Sequence, residues 1–390
     1  MVVASATPLF ADEAYYWHWS QSLRLGYPDH PPGVAALISI FGHPRLASVA
    51  ITPLIALVLA DAARRAGVAR WRWTPALLLG TPLGFSLFIA TPDGPLVLGW
   101  AVVVHGVVRQ RGAVAGLGLA MALWSKSSAL VGIPGLLWAL GPKRGARAIA
   151  VAGLLYSPHL WWSVHHHGWP WTFQAGLRAW GRFALPEAIG GQLLVVTPWL
   201  AWLIIKAWRA SSTSVERRLA RLGWPVLLAW MGLSVVVRVE ANWSAIAWLP
   251  GLVLVLGRPD GARGARRWAA GLTVVAALSV MGLTRWLPMG WGPPRDGAAL
   301  RACLNERLGG ADLVTGRYQE RALLWSAGYV SMHQPSPGHR ASWYGESPPF
   351  GGGCGYVFLG DEAHTICAGA KKQSAACGLV ITECRCEGDR

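Results

Sequence analysis

The sequence predicts an all-α polytopic membrane protein that ends in a small polar domain. Hydrophobic residues make up 53% of the 390 residues, charged residues make up only 14%, and the mean hydropathy is +0.36. A soluble protein of this length does not have that balance. Many of the 24 tryptophans lie near the ends of apolar runs, where indole rings favour the headgroup layer of a bilayer.

The strong positive charge is explained by membrane topology rather than by nucleic acid. The formal charge is +16, but arginine and lysine occur in short clusters between apolar runs, as topology determinants do. A nucleic-acid partner is therefore not expected. The clusters are Arg64/Arg65/Arg70/Arg72, Arg109/Arg111, Lys143/Arg144/Arg147, Lys206 through Arg221, and Arg258 through Arg267.

Ten apolar runs are candidate spans, and several are shorter than the ~20 residues that a perpendicular helix needs. They are Leu46 to Ala63, Thr74 to Ala90, Pro95 to Val108, Ala113 to Ser125, Ser127 to Leu140, Ala148 to Ser163, Ile189 to Trp208, Leu222 to Val237, Ala245 to Leu256, and Trp268 to Leu287. A break at Lys126 puts every basic cluster on one side, which the positive-inside rule makes cytoplasmic. A single helix through Lys126 scrambles that pattern. The stretch from Gly33 to Phe41 is too short to cross, and we expect a helix along the outer surface there.

The chemically interesting polar residues then collect on the opposite, outer side. Any one of them alone is explained as an ordinary loop residue, but their joint segregation predicts a functional site. They are Asp12, Glu13, Asp29, His30, Asp93, Lys126, the run His165 to His167, and the segment Glu240 to Trp243.

Five segments, in the same order along the chain, resemble the bacterial family 39 glycosyltransferases. These enzymes have the GT-C fold and include the protein O-mannosyltransferases and the lipid A aminoarabinose transferase. The segments are DEAYYWHWSQSLRLGYPDHPPGVAALI from Asp12, TPDGP from Thr91, GLAMALWSKSSALVGIP from Gly118, SPHLWW from Ser157 with a following HGW, and EANWSA from Glu240. Family members carry a helix before the first motif, whereas only residues 1–11 precede it here. We expect either a start assigned too far downstream or a short translocated tail.

The resemblance implies transfer of a sugar from a polyprenyl-phosphate (undecaprenyl-phosphate) donor to an acceptor on the outer face of the bacterial cytoplasmic membrane. An attacking hydroxyl must lose its proton, so a carboxylate base is needed, and the family's acid-base residue corresponds to Asp12. Glu13 either orients the acceptor or interacts with the N–H groups of the first helical turn. Asp93, Glu240, Asn242 and His30 are candidate substrate-binding residues.

The leaving phosphate needs a cation, and the resemblance implies that Lys126 supplies it. Snorkelling of the lysine to the membrane surface is the alternative. Asp29 occupies the place of a metal-binding glutamate in the aminoarabinose transferase branch, so a divalent ion held by Asp29 and His166 is a second option. His30 replaces a lysine there, and imidazole can ligate or titrate.

The character of the chain changes after Leu287. We predict a transmembrane glycosyltransferase domain over residues 1–288, a linker over 289–294, and a soluble extracytoplasmic α/β domain over 295–390. All six cysteines lie in this last segment, which suggests disulfides in an oxidising compartment. A zinc site is less favoured because no CxxC spacing occurs.

Two other functions fit the same features. A transporter or flippase of lipid-linked sugar would also use outward acidic clusters and broken helices, although the halves of the chain show no internal similarity. A catalytically degenerate relative would bind polyprenyl phosphate without transferring the sugar. The sugar and the acceptor, which is a lipid, a glycan or a protein, stay open.

Overall fold

The computed structural model describes most of the chain up to residue 258 and parts of the rest. The described residues are 9–168, 170–176, 180–258, 297–308, 312–315, 318–326, 328, 334–335, 349–350, 356–359, 370–376 and 379–385. The chain divides into two compact units, Arg24–Leu283, here called the helical unit, and Met1–Leu23 with Thr284–Arg390, here called the terminal unit.

The terminal unit contains α1 (Ala11–Ser20), which carries the first motif, together with elements from the other end of the chain. The predicted domains over residues 1–288 and 295–390 stay a prediction, and the predicted linker over 289–294 lies outside the described residues.

The described part of the helical unit consists of helices. They are α2 (Gly33–Phe41), α3 (Pro44–Arg65), α4 (Thr74–Leu79), α5 (Pro82–Ser86), α6 (Asp93–Val108), α7 (Gly112–Ser125), α8 (Ile133–Leu140), α9 (Pro142–His165), α10 (Trp171–Gly176), α11 (Leu185–Val196), α12 (Pro198–Arg209), α13 (Ser214–Leu233) and α14 (Ala245–Val255), with 3₁₀ turns at Trp71–Trp73, Ser127–Gly132 and Ala241–Ser244.

Helices α6 and α7 pack closely against each other in the helical unit, because glycines let their backbones approach. A Cβ atom on Gly99 would come within 2.4 Å of the Ala122 nitrogen, and one on Gly118 within 2.6 Å of the Gly99 oxygen. Helix α9 packs on the other side of α7, where Gly116 faces the carbonyl of Ala148. The start of α6 and the end of α7 are thereby held side by side.

Two predicted runs are interrupted and one predicted break is present, and local backbone chemistry explains all three. The run from Ser127 begins as a 3₁₀ turn, because Lys126 is extended (φ −153°, ψ 123°) and ends α7; the predicted break at Lys126 is confirmed. The run from Thr74 splits into α4 and α5, where the Thr81 hydroxyl caps Gly84 and Pro82 starts a new helix. The run from Ile189 bends by 93° at Thr197 (φ 69°), just before Pro198.

One described helix, α3, is long and apolar enough to cross a membrane by length and composition, and the bent pair α11 and α12 adds a second if it forms one span. The other apolar helices are shorter. The run from Trp268 to Leu287 lies outside the described residues, and the count of ten spans stays a prediction. Residues Gly33–Phe41 form a helix, as expected.

The other described residues of the terminal unit form α15 (Gly297–Leu308), α16 (Tyr318–Ser326) and six short strands: β1 (Asp312–Thr315), β2 (Gln334–Pro335), β3 (Pro349–Phe350), β4 (Tyr356–Leu359), β5 (Ala370–Ala376) and β6 (Leu379–Arg385). Four of them form a sheet in the order β1-β4-β6-β5, with β1 and β4 parallel and the other pairs antiparallel. The β2–β3 pair is parallel. Cys303 in α15 is disulfide-bonded, in line with the disulfides that the cysteine pattern suggested.

Candidate active site

A buried polar cluster joins three of the predicted site residues in the helical unit. The Lys126 ammonium donates to Asp93 Oδ1 at 2.8 Å, and the Asn242 side-chain amide donates to Asp93 Oδ2 at 2.7 Å. Lys126 and Asp93 are each only 7% exposed. Both carboxylate oxygens of Asp93 therefore have partners, and a positive charge is fixed at this point.

The sequence builds the cluster at helix ends. Asp93 lies in the first turn of α6, where a carboxylate interacts favourably with the helix dipole. Lys126 is the residue that ends α7, and its neighbour Ser125 donates from its hydroxyl to the Pro92 carbonyl at 2.5 Å. That bond joins the end of α7 to the start of α6.

The third member of the cluster, Asn242, is held in place by Gln192, a residue that the sequence motifs did not include. Gln192 of α11 donates to the Ala241 carbonyl at 3.1 Å and accepts from the Trp248 indole nitrogen at 2.9 Å. Gln192 is buried, at 4% exposure. It therefore fixes the 3₁₀ turn that carries Asn242. The available signal was an isolated glutamine inside the apolar run from Ile189 to Trp208.

The position of Lys126 argues against snorkelling as its whole role. A snorkelling lysine keeps its charged head in water, whereas this ammonium is buried against a carboxylate. A buried charge whose partner is removed costs about 3–5 kcal/mol, so each member of the pair requires the other.

The loop that carries Asp29 and His30 is fastened to α9 and α10. The Tyr27 N–H donates to the His30 carbonyl at 3.2 Å, and Gln174 donates to the Asp29 carbonyl at 2.9 Å. A hydrogen bond of 2.7 Å joins His159 Nδ1 and the Leu25 carbonyl. Burial raises the pKa of Tyr27 to about 12, so the phenol stays protonated.

The described residues do not assemble a complete metal site. Within them there is no group of three or more His, Cys, Asp or Glu side chains suited to an ion. His166 forms a 2.8 Å hydrogen bond with the Trp162 carbonyl through Nδ1, and its ring stacks on Trp162 with centroids 4.2 Å apart. The metal ligands Asp29 and His166 stay a prediction, and no step proposed below uses an ion.

The Asp12–Glu13 pair lies in the first turn of α1 in the terminal unit. Glu13 is fully buried, and its Oε2 accepts from the Phe10 N–H at 3.0 Å. The helix-start alternative considered for Glu13 is therefore present. Asp12 is half-buried and lies one position earlier on the same turn.

Helix α1 is packed against α16, an arrangement that the motifs did not reveal. The Trp325 ring stacks on His18 with centroids 4.2 Å apart and meets Trp17 edge-on at 5.8 Å. Burial, and secondly the charge of Arg321, lower the pKa of His18 to about 4. The helix that carries the predicted base is thus stabilised by the carboxyl-terminal segment.

Glu240 forms an ion pair near the 3₁₀ turn that carries Asn242. Its Oε1 is 3.6 Å from Arg238 Nε, and the side chains of Arg238 and Glu240 are 58% and 43% exposed. Screening by water makes such a pair weak. Its role in substrate binding stays a prediction.

The fold of the chain is similar to that of a solved protein. The chain superimposes on ArnT from Cupriavidus metallidurans bound to undecaprenyl phosphate with a TM-score of 0.65 and 13% identity, covering 98% of this chain and 95% of that one. The apo form of that protein gives the same TM-score and coverage at 11% identity. These identities establish the fold alone.

A sequence relative gives a second likeness. It is 29% identical over 291 aligned positions to the lipid A galacturonosyltransferase RgtD of Rhizobium johnstonii, covering 66% of this chain and 62% of the relative's length. No family model matches the chain. The predicted resemblance to the GT-C glycosyltransferases is confirmed.

Proposed function

We propose that this protein transfers a sugar from a polyprenyl-phosphate donor, undecaprenyl phosphate in bacteria, to an acceptor at the outer face of the cytoplasmic membrane. The observation that carries the proposal is the buried cluster of Asp93, Lys126 and Asn242. Three motifs that are far apart in the chain, each with a counterpart in the resembled family, meet there. A transporter that does not catalyse sugar transfer would not require these three motifs at one place.

The cluster suits the leaving group of this reaction. When the bond between the anomeric carbon and the phosphate oxygen breaks, the electron pair stays on that oxygen and a phosphomonoester forms. A preorganised ammonium lowers the energy of this developing charge. Asp93 and Asn242 hold Lys126 in one place, so little reorganisation is needed as the charge appears. We assign Lys126 the role of donor-phosphate ligand on this basis.

The acceptor side of the reaction is assigned to α1. As the acceptor hydroxyl oxygen bonds to the anomeric carbon, its proton passes to the Asp12 carboxylate, which acts as general base. The partial exposure of Asp12 suits a group that meets a substrate. Glu13 holds Asp12 in position, since the hydrogen bond from the Phe10 N–H to the Glu13 carboxylate fixes the helical turn. Its role is then positioning rather than proton transfer.

The relatives suggest where to begin with substrates. The solved relative is described as bound to undecaprenyl phosphate, and the sequence relative is named a lipid A galacturonosyltransferase. A galacturonosyl donor and a lipid acceptor are therefore the first pair to test, followed by glycan and protein acceptors.

The proposal is tested with purified protein in lipid nanodiscs and a panel of undecaprenyl-phosphate sugars. Mass spectrometry should find one donor consumed, with undecaprenyl phosphate and a glycosylated acceptor formed in equal amounts. A flippase would leave every donor intact, and a degenerate relative would bind a donor without consuming it. An alkaline phosphatase fusion after Arg295 tests the proposed outer location of the carboxyl-terminal segment and is active only on that side.

A further inference from the structure

A second concentration of charge lies where helices meet, outside the cluster described above. Helix α8 meets α13 where Gly135 faces the Arg221 carbonyl, and it meets α9 where the Leu137 side chain faces Gly145. The start of α9 and the first half of α13 therefore both lie against α8. The basic residues of α9 and α13 lie there: Lys143, Arg144, Arg147, Arg217, Arg218 and Arg221.

The charges of two other arginines act on Arg218 at this junction. Partial burial, followed by the charges of Arg144 and Arg221, lowers the pKa of Arg218. The Arg218 Nε atom is buried and makes no hydrogen bond to any described residue. Because like charges crowded at a surface are unfavourable, the junction is stabilised by any anion that binds between them.

The nearby carboxylate is already engaged elsewhere. Glu216 is the sole acidic residue in the sequences of α9 and α13. It accepts from the N–H groups of Ser212 and Thr213 at the start of α13 and pairs with Arg258 at 3.0 Å. Within the described residues, no carboxylate is paired with Arg144, Arg218 or Arg221, so their charges are not balanced by the protein there.

An exposed apolar surface borders the arginines. The Arg221 guanidinium lies over the Trp138 ring, 5.5 Å from its centroid. Trp138 is 56% exposed and its neighbour Leu137 is 39% exposed. Indole rings favour the boundary between headgroups and acyl chains. A ligand with an anionic head and an apolar tail matches both parts of this surface.

We propose that Arg144, Arg218 and Arg221, with Trp138, bind the phosphodiester headgroup of an anionic membrane phospholipid of the phosphatidylglycerol type. Arginine presents several N–H donors in a planar fork that matches phosphate oxygens. Basic pockets between membrane helices recognise lipid headgroups in the same way. The site lies among the basic clusters that the charge pattern assigns to the cytoplasmic side, so it is distinct from the proposed sugar-transfer cluster and independent of its activity.

The test compares two triple variants that lose the same charge. R144Q/R218Q/R221Q removes the proposed site, whereas R70Q/R111Q/R209Q removes three exposed arginines from other basic clusters. Each purified protein is titrated with phosphatidylglycerol or phosphatidylcholine of matched chains, and bound lipid is counted by native mass spectrometry. We expect the first variant to lose phosphatidylglycerol affinity by roughly 10- to 100-fold and the second to change by less than about threefold. Phosphatidylcholine binding should be the same in all three proteins.

Three outcomes would overturn the proposal. An equal loss in both triple variants would mean unspecific charge attraction. Displacement of the lipid by an equal concentration of inorganic phosphate would mean that the site binds free anions. Unchanged phosphatidylglycerol affinity in W138A would mean the same, because the apolar part of the surface would then contribute nothing. If the triple variant melts at a lower temperature in phosphatidylcholine, the single variants R144Q and R221Q replace it. Each should then lose roughly fivefold in affinity, and no loss in either would contradict the site.

Discussion

Lys126 and Asp93 form an ion pair of 2.8 Å between the end of one helix and the start of another. Both side chains are buried, and Asn242 completes the pair from a third segment. Desolvation offsets much of the attraction in such a pair, so the pair alone is weak evidence for a stabilising role. A fixed, buried cation is, however, what a reaction requires when negative charge develops on a leaving phosphate.

The first prediction separates the charge of Lys126 from its structural role. Lys126→Met leaves Asp93 buried without its cation, so the melting temperature and the transfer rate should both fall, with a stability loss of about 3–5 kcal/mol. The double variant Lys126→Met/Asp93→Asn removes both charges and should recover most of the stability. Its transfer rate should stay low, because the phosphate still lacks its cation. Normal activity in the double variant would show that Lys126 is only structural.

A charge-retaining change gives an independent reading of the same residue. Lys126→Arg keeps the pair with Asp93 but replaces a compact ammonium with a larger planar group. If Lys126 served only as an anchor, Arg would replace it fully. We expect lower activity at an unchanged melting temperature, measured on the same preparations.

The second prediction concerns the two acids of α1. Asp12→Asn should lower turnover by ~10² to 10⁴ at unchanged expression, since loss of a positioned base costs about that much. Glu13→Gln keeps an oxygen acceptor for the Phe10 N–H and should be milder. Glu187→Gln, which removes an exposed carboxylate paired with Arg182, is the matched control. A larger effect of Glu13→Gln than of Asp12→Asn would reverse the assigned roles.

The third prediction tests Gln192 as a positioning residue. Gln192→Leu has a similar volume but leaves the Ala241 carbonyl and the Trp248 indole without their partner, a loss of about 1–3 kcal/mol. Since the turn that carries Asn242 then loosens, turnover should fall by about tenfold or more, with KM nearly constant. Leu193→Ala, at an exposed neighbouring position, is the control. Equal turnover in wild type and Gln192→Leu would show that the turn does not depend on this bond.

Local sequence signals predicted the parts of this molecule that depend on local chemistry. The break at Lys126 followed from the charge pattern, and the helix over Gly33–Phe41 followed from an apolar stretch too short to cross a bilayer. The joining of Asp93 to Lys126 and Asn242 depends on how three distant segments pack, which no local pattern contains. The division of the run from Ile189 at Thr197 was missed because apolar residues continue on both sides of the bend.

The motif at the start of the chain shows the same limit. Its residues carry the resemblance to the family 39 glycosyltransferases, but they did not reveal that α1 packs on α16 through Trp325. That contact joins positions about 300 residues apart, so it depends on the tertiary fold. Gln192 was missed for a related reason: a single buried glutamine resembles an ordinary polar residue until its partners are known.

The fourth prediction uses the depressed pKa of His18. Its imidazole is neutral in the folded protein down to about pH 4, whereas in the unfolded chain it takes up a proton below about 6.5. Its stabilising effect is therefore complete above pH 6.5 and is lost progressively as the pH falls toward 4. The melting temperature of wild type should drop more between pH 7 and pH 5 than that of His18→Gln. Parallel curves for the two proteins would contradict this account.

The most direct test of the central claim is a donor-product balance in the presence and absence of the predicted base. Wild-type protein, Asp12→Asn and Lys126→Met are each given the donor found to react, with its sugar isotopically labelled, and a lipid acceptor. Mass spectrometry then measures undecaprenyl phosphate and labelled acceptor over time. We predict equal formation of the two products by wild type and a loss of at least about a hundredfold in Asp12→Asn. If wild-type protein binds the donors of the panel but leaves the sugar–phosphate bond intact in every one of them, the claim of sugar transfer is contradicted.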